Sequence, residues 1–194
     1  QKPVTMFAVA SLCRNCASLA SRVKRMLGLL ILCNRSKIMA DLSYLLENFN
    51  LKQHSKFSYG EINFIKCIFE YRKDFIYFRV VTAVFNETIE NEIETYLKSA
   101  KDRKQIISYG IVNYNCQYNI KLPSIFNNNI IDFINSFTLF LKNNNLKNAC
   151  IKCRTPNIIS FIKLNNSIEP FCSNCYKTIE HEAIQHNSPI TLLR

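Results

Sequence analysis

Tryptophan is missing from the 194 residues of this chain, and glycine occurs only at positions 28, 60 and 110. So few glycines leave no phosphate-cradling loop, and neither a Walker A motif nor a dinucleotide-binding fingerprint is present. Apolar runs are short. None approaches the roughly 20 residues needed to cross a bilayer as a helix, so no span is visible. Five prolines and 48% hydrophobic residues exclude collagen-like, low-complexity and wholly disordered classes. The length suits one domain plus a small module, with a core of useful size.

Acidic residues are also absent from residues 1–38, which carry Lys2, Arg14, Arg22, Lys24, Arg25, Arg35 and Lys37. That stretch supplies +7 of the formal net charge of +11, and the 18 basic against 14 acidic residues after it leave +4. Asn and Ile become abundant only after Ile38, so the two parts differ in composition as well. One reading takes 1–38 as a leader of doubtful nativeness, from upstream translation or a fusion, with Met39 as the native start. A second takes it as a targeting segment, with the apolar run Leu27 to Leu32 behind Arg22 to Arg25. A third takes it as an amphipathic membrane-surface anchor.

From Met39 the chain reads as an α+β domain over 39–148. After a short helical lead through Leu42, Leu45 and Phe49, the segments Phe57 to Tyr71 and Phe75 to Phe85 are dense in β-branched and aromatic residues. Arg72-Lys73-Asp74 separates them as a turn. Ile89, Ile93, Tyr96, Leu97 and Ala100 then recur at helical spacing behind a candidate N-cap at Asn86 or Thr88. Ile106 to Tyr114 and Cys116 to Leu122 predict a second hairpin, ended by Pro123, which lacks a backbone donor. Cys116, Tyr118, Ile120 and Leu122 alternate with Gln117, Asn119 and Lys121, as a half-buried strand requires. A second amphipathic helix carries Ile130, Ile134, Phe137 and Leu141. The expected architecture is a two-layer sandwich, a four-stranded, mainly antiparallel sheet with both helices on one face.

The chemistry-bearing pattern lies at 149–187. Cys150 and Cys153 are followed 18 residues later by Cys172 and Cys175, a C-x2-C-x18-C-x2-C spacing that suits a four-thiolate Zn2+ site. Each C-x-x-C turn can present two sulfurs to one tetrahedral cation. Ile158 to Leu164, a turn at Asn165-Asn166, and Ser167 to Phe171 form a hairpin that can bring the two pairs together. Tyr176 to Gln185 reads as a helix, which sets the second pair at a helix N-terminus, where the dipole favours thiolate. Four thiols without a metal are one competing reading, and two disulfides are another. Disulfides need an oxidising compartment, and the odd total of nine cysteines argues instead for a reducing, cytoplasmic one.

Four protein ligands close the coordination shell, so the zinc is structural and folds a segment with too little apolar surface to fold alone. Cys67 and Cys116 fall on apolar strands as core residues, and Cys13 and Cys16 in the leader have no partner pair. No catalytic constellation is found. His181 and His186 stand five residues apart, about 140° from each other around a helix, and do not share a metal-binding face. No deaminase signature is present, and Glu90, Glu92 and Glu94 fall on a solvated helix face.

The order of knuckle, hairpin, second knuckle and helix from Cys150 to about Gln185 resembles a treble-clef or zinc-ribbon module, and the cysteine spacing is similar to a GATA-type finger. Residues 39–194 are also similar to uncharacterised proteins of low-GC Gram-positive bacteria, in which a small α/β domain precedes a zinc ribbon and then hydrophobic helices. That likeness implies membrane association if a hydrophobic segment follows the tail 188–194. The expected function is a non-catalytic zinc-binding protein that acts as an interaction or scaffold module for another protein. The alternative is a nucleic-acid-binding regulator using the zinc finger. Against it, four thiolates and one Zn2+ reduce the +4 after Met39 to about +2, and the finger offers only Arg154, Lys163 and Lys177, with Glu180 and Glu182 close by.

Overall fold

Segments rich in β-branched and aromatic residues build the larger of two sheets. The computed structural model describes residues 24, 44–83, 86–112, 116–125, 127–156, 158, 160–164 and 167–193. The chain divides into Gln1–Leu42 and Ser43–Arg194, and all the described residues except Lys24 belong to the second unit. The readings of 1–38, of Cys13 and Cys16, of a start at Met39 and of the Asn165-Asn166 turn lie outside the described residues.

A helical turn, α1, covers 44–49. The strands β1 (Lys52–His54), β2 (Phe57–Ile62), β3 (Ile65–Tyr71), β4 (Phe75–Val81), β5 (Ser108–Val112) and β6 (Gln117–Pro123) then form one sheet in the order β1-β2-β3-β4-β6-β5. Every pairing in it is antiparallel. The sheet has six strands where the sequence predicts four, and the reasons are local. The apolar run Phe57 to Tyr71 is two strands, not one: Ile62 pairs with Ile65, and Asn63 and Phe64 take φ of 51° and 67°. Two left-handed residues make the hairpin turn whose twist matches its strands. Its usual signature is Asn-Gly, and Phe in the second place hides it. The sixth strand, β1, is polar and three residues long, so it has no alternation to read.

Helices α2 (Glu87–Asp102) and α3 (Asn128–Asn143) begin at asparagine caps. Asn86 accepts from the Thr88 N–H at 2.8 Å, and Asn127 accepts from the Ile130 N–H at 3.2 Å, satisfying backbone donors that a helix start leaves unpaired. Ile93, Leu97 and Ala100 of α2 and Ile130, Phe133, Ile134, Phe137 and Leu141 of α3 pack on the same sheet face. There they meet Cys67, Phe69, Phe78, Val80, Tyr118, Ile120 and Leu122. Phe137 stands at the centre, with ring centroids of Phe78, Tyr118, Phe133 and Tyr96 at 5.6–6.2 Å.

On the opposite face Phe57, Tyr59 and Ile68 of β2 and β3 form an apolar patch, and a second sheet covers it. Strands β7 (Ser160–Leu164), β8 (Ser167–Phe171) and β9 (Ile190–Leu193) run in the order β8-β7-β9. Phe161, Ile168 and Leu193 pack on Phe57, Tyr59 and Ile68, with Tyr59 edge-on to Phe161 at 5.3 Å. A third layer therefore joins the expected two. Within the segment read as a tail, Ile190–Leu193 pairs with β7. Arg79 of β4 forms an ion pair with Glu169 of β8 at 2.5 Å. Burial raises the Glu169 carboxyl above the ordinary range, and Arg79 offsets that only in part.

One asparagine prolongs the β3–β4 ladder past its last strand pair. Asn148 accepts from the Lys66 N–H at 2.6 Å and donates to the carbonyls of Lys66 at 3.0 Å and Val81 at 3.2 Å, so its amide stands in for a strand backbone beyond the end of β4. Alongside it, the N–H of Ala149 donates to Val81 and that of Ala83 to Lys147. Replacing Asn148 with Ala takes a partner from both the Lys66 N–H and the Lys66 carbonyl, and one of two donors from the Val81 carbonyl. We expect a loss of about 2 kcal/mol, read as a fall in Tm of roughly 4–8 °C by circular dichroism. A fall below about 1 °C would show that water replaces these bonds without cost.

Candidate metal centre

Three local structures bring the four cysteines together. The first pair sits on a turn. The Arg154 N–H donates to the Cys150 carbonyl at 2.8 Å and the Cys150 N–H to Thr155 at 3.0 Å, with Arg154 left-handed at φ 59°. This turn folds residues 150–153 so that both side chains leave on one side. The hairpin then carries the chain away and back, with Ser160 opposite Phe171 and Leu164 opposite Ser167. The Pro170 carbonyl of β8 accepts from the Ile151 N–H at 2.9 Å and ties the first turn to the returning strand.

The second pair opens helix α4 (Ser173–Gln185). Cys172 is its N-cap, with extended φ and ψ of −80° and 165°, and its carbonyl accepts from Tyr176 at 2.9 Å. The helix starts three residues before the sequence predicts, which puts Cys175 inside its first turn. Both sulfurs thus lie where the positive end of the helix favours negative charge. Lys152 and Glu182 approach to 3.7 Å across the two halves.

The sulfurs of Cys150, Cys153, Cys172 and Cys175 all lie within 4.8 Å of one another, and Cys153 and Cys172 are 3.6 Å apart. A tetrahedral ion with bonds of about 2.3 Å sets its sulfurs about 3.8 Å apart. The cluster therefore fits one metal ion with little adjustment, and the sequence spacing has brought together the residues it singled out. Cys150 is buried, Cys172 and Cys175 half-buried, and Cys153 exposed. Beneath them lies a small core of Ile162, Phe171 and Ile179.

The thiols differ in acidity. The Thr155 hydroxyl, 2.6 Å from the Cys153 sulfur, pulls that thiol down to about 6, helped by the Thr155 N–H and the sulfurs of Cys175 and Cys172. Loss of hydration pushes Cys175 up, and the neighbouring sulfurs push it further. One thiolate in so tight a group raises the cost of the next, and a divalent cation removes that conflict. Thr155 was not legible as a site residue, because a hydroxyl two positions beyond a cysteine reaches its sulfur only in a particular turn.

Outside the cluster, Cys67 of β3 is a core residue, and Cys116, expected on a strand, is buried in the turn just before β6. Cys67 is fully buried and donates to the Ile65 carbonyl at 3.3 Å, and burial holds its thiol well above the ordinary range. Burial likewise raises Cys116. His181 and His186 are both exposed on or just beyond α4. No helix among the described residues is long and apolar enough to cross a membrane.

No protein-family model, no curated protein and no solved structure matches this chain.

Proposed function

We propose that this is a non-catalytic binding protein in which a structural Zn2+, held by Cys150, Cys153, Cys172 and Cys175, folds a treble-clef-like module onto the second face of a six-stranded sheet. The observation that carries this reading is the convergence of four protein sulfurs in one group. Four thiolates complete a tetrahedral shell and leave no position for water or substrate, so the ion's contribution is to the fold. Zinc suits the all-sulfur donor set and a reducing cytoplasm, where thiols persist. A turn, the β7–β8 hairpin and a second pair at the start of α4 follow the order of a treble clef.

The partner in this reading is another protein. Recognition of nucleic acid by the module itself has little support, because α4 sets exposed Lys177 on the same helix as Glu180 and Glu182, and Lys152 already faces Glu182. A test replaces the metal with Co2+ and follows its visible spectrum. We expect intense tetrahedral bands with sulfur charge transfer, unchanged by added imidazole or azide. New bands on adding either ligand would reveal an open coordination position and overturn the structural assignment.

A further inference from the structure

We propose that the groove beside the β2–β3 turn binds single-stranded nucleic acid, with Phe64 stacking on a base and Lys66, Lys142 and Lys147 meeting the phosphates. This goes beyond the zinc reading and uses a different part of the molecule. Phe64 is 73% exposed, the most exposed large apolar side chain among the described residues. It is also left-handed at φ 67°, where glycine or asparagine is the easy choice and a bulky side chain is strained. An aromatic residue that gains no burial and strains its backbone is poorly explained by the fold.

Its surroundings complete a site for an anionic, planar ligand. The turn is held rigid, since the Asn63 amide donates to the Thr138 hydroxyl at 2.9 Å and to the Asn135 carbonyl at 3.2 Å. Phe64 is therefore presented to solvent on a fixed base. The Lys142 ammonium lies 4.3 Å from its ring centroid. Lys66 and Lys147 join Phe64 and Lys142 in lining a groove of about 330 Å³ that has no carboxylate in its wall among the described residues. The nearest acid by register is Glu61, opposite Lys66 on β2; it lines the adjoining cleft, which Lys66 also lines, so Lys142 and Lys147 are the cations of the groove that face no carboxylate there. An aromatic face among cations is the combination that holds unpaired bases and their backbone. An acidic peptide would use the lysines and leave the ring without a role. Two amides line the groove, Asn148, which is already bonded to Lys66 and Val81, and the exposed Asn145, and because every base offers a face for stacking, binding should be tolerant of sequence.

The test is fluorescence anisotropy of the full chain with labelled 12-mers of dT and U, and with a duplex of equal length, across a salt series. We expect both single strands to bind more tightly than the duplex. Phe64→Asn should weaken single-strand binding about tenfold with the salt slope unchanged. Because Asn accepts the left-handed conformation, this variant should keep or raise Tm, which separates lost stacking from lost folding. The double variant Lys142→Gln/Lys147→Gln should make the slope shallower by about 1.4, at roughly 0.7 per phosphate contact. Three results would overturn the proposal: no single-strand binding at low salt, wild-type affinity in Phe64→Asn, or displacement by oligo-glutamate as effective as by unlabelled dT.

Discussion

Cys150→Ser is expected to abolish stoichiometric metal binding and to unfold the residues beyond Ala149 while the six-stranded sheet and its helices stay folded. The magnitudes favour this outcome. Binding of a structural zinc contributes about 10–16 kcal/mol in zinc-finger peptides, whereas a whole domain is stable by only about 5–15 kcal/mol. The buried core particular to the module is small, comprising Cys150, Ile162, Phe171 and Ile179. Such a core cannot replace the metal. Cys150 is also fully buried, so serine would set a hydroxyl among apolar groups as well as removing a ligand. The core between sheet and helices shares no residue with it. Limited trypsin digestion should cut the variant at Arg154, Lys163 and Lys177 and spare 44–143. Uncovering of Phe57, Tyr59 and Ile68 should increase binding of a hydrophobic dye. A Cys150→Ser protein as protease-resistant as wild type would refute the metal's role in folding.

Phe137→Ala should have the second largest effect, on the other side of the sheet. Its side chain is fully buried and touches aromatic rings from β4, β6, α2 and its own helix. Truncating such a residue costs about 3–5 kcal/mol, through lost burial and the cavity left behind. For a unit of this size that is a fall in Tm of roughly 6–20 °C. Metal content at room temperature should not change, because the cysteines lie beyond the opposite face. The two variants together separate the sources of stability. A loss below about 1 kcal/mol for Phe137→Ala in urea titration would show that the aromatic cluster is not the centre of the core.

The features legible in the sequence are those whose signal is local. The alternation from Gln117 to Leu122, the asparagine before α2, and the paired C-x-x-C spacing each depend on neighbours a few residues away, and each appears in the structure. The features that were not legible depend on distant parts of the chain or on a masked local signal. In β2 and β3 the second face mixes Phe57, Tyr59 and Ile68 with Glu61, Lys66 and Glu70, so no clean periodicity marks the break, and Phe64 occupies the place where glycine would have announced a turn. The apolar patch on that second face is explained only by Phe161, Ile168 and Leu193, which arrive about a hundred residues later. Ile190–Leu193 alone is too short to announce a strand, and it becomes one because β7 has a free edge. Asn148 carries no sequence signal at all, since its role depends on the positions of Lys66 and Val81.

The most direct measurement of the central claim is metal content per chain in protein purified without added metal, with the four-cysteine variant as control. The account predicts one equivalent of zinc in the wild type, none in the variant, and release of the wild-type zinc in step with unfolding of the module when a chelator is added. A folded wild type without metal, or zinc retained after all four cysteines are replaced, would contradict it.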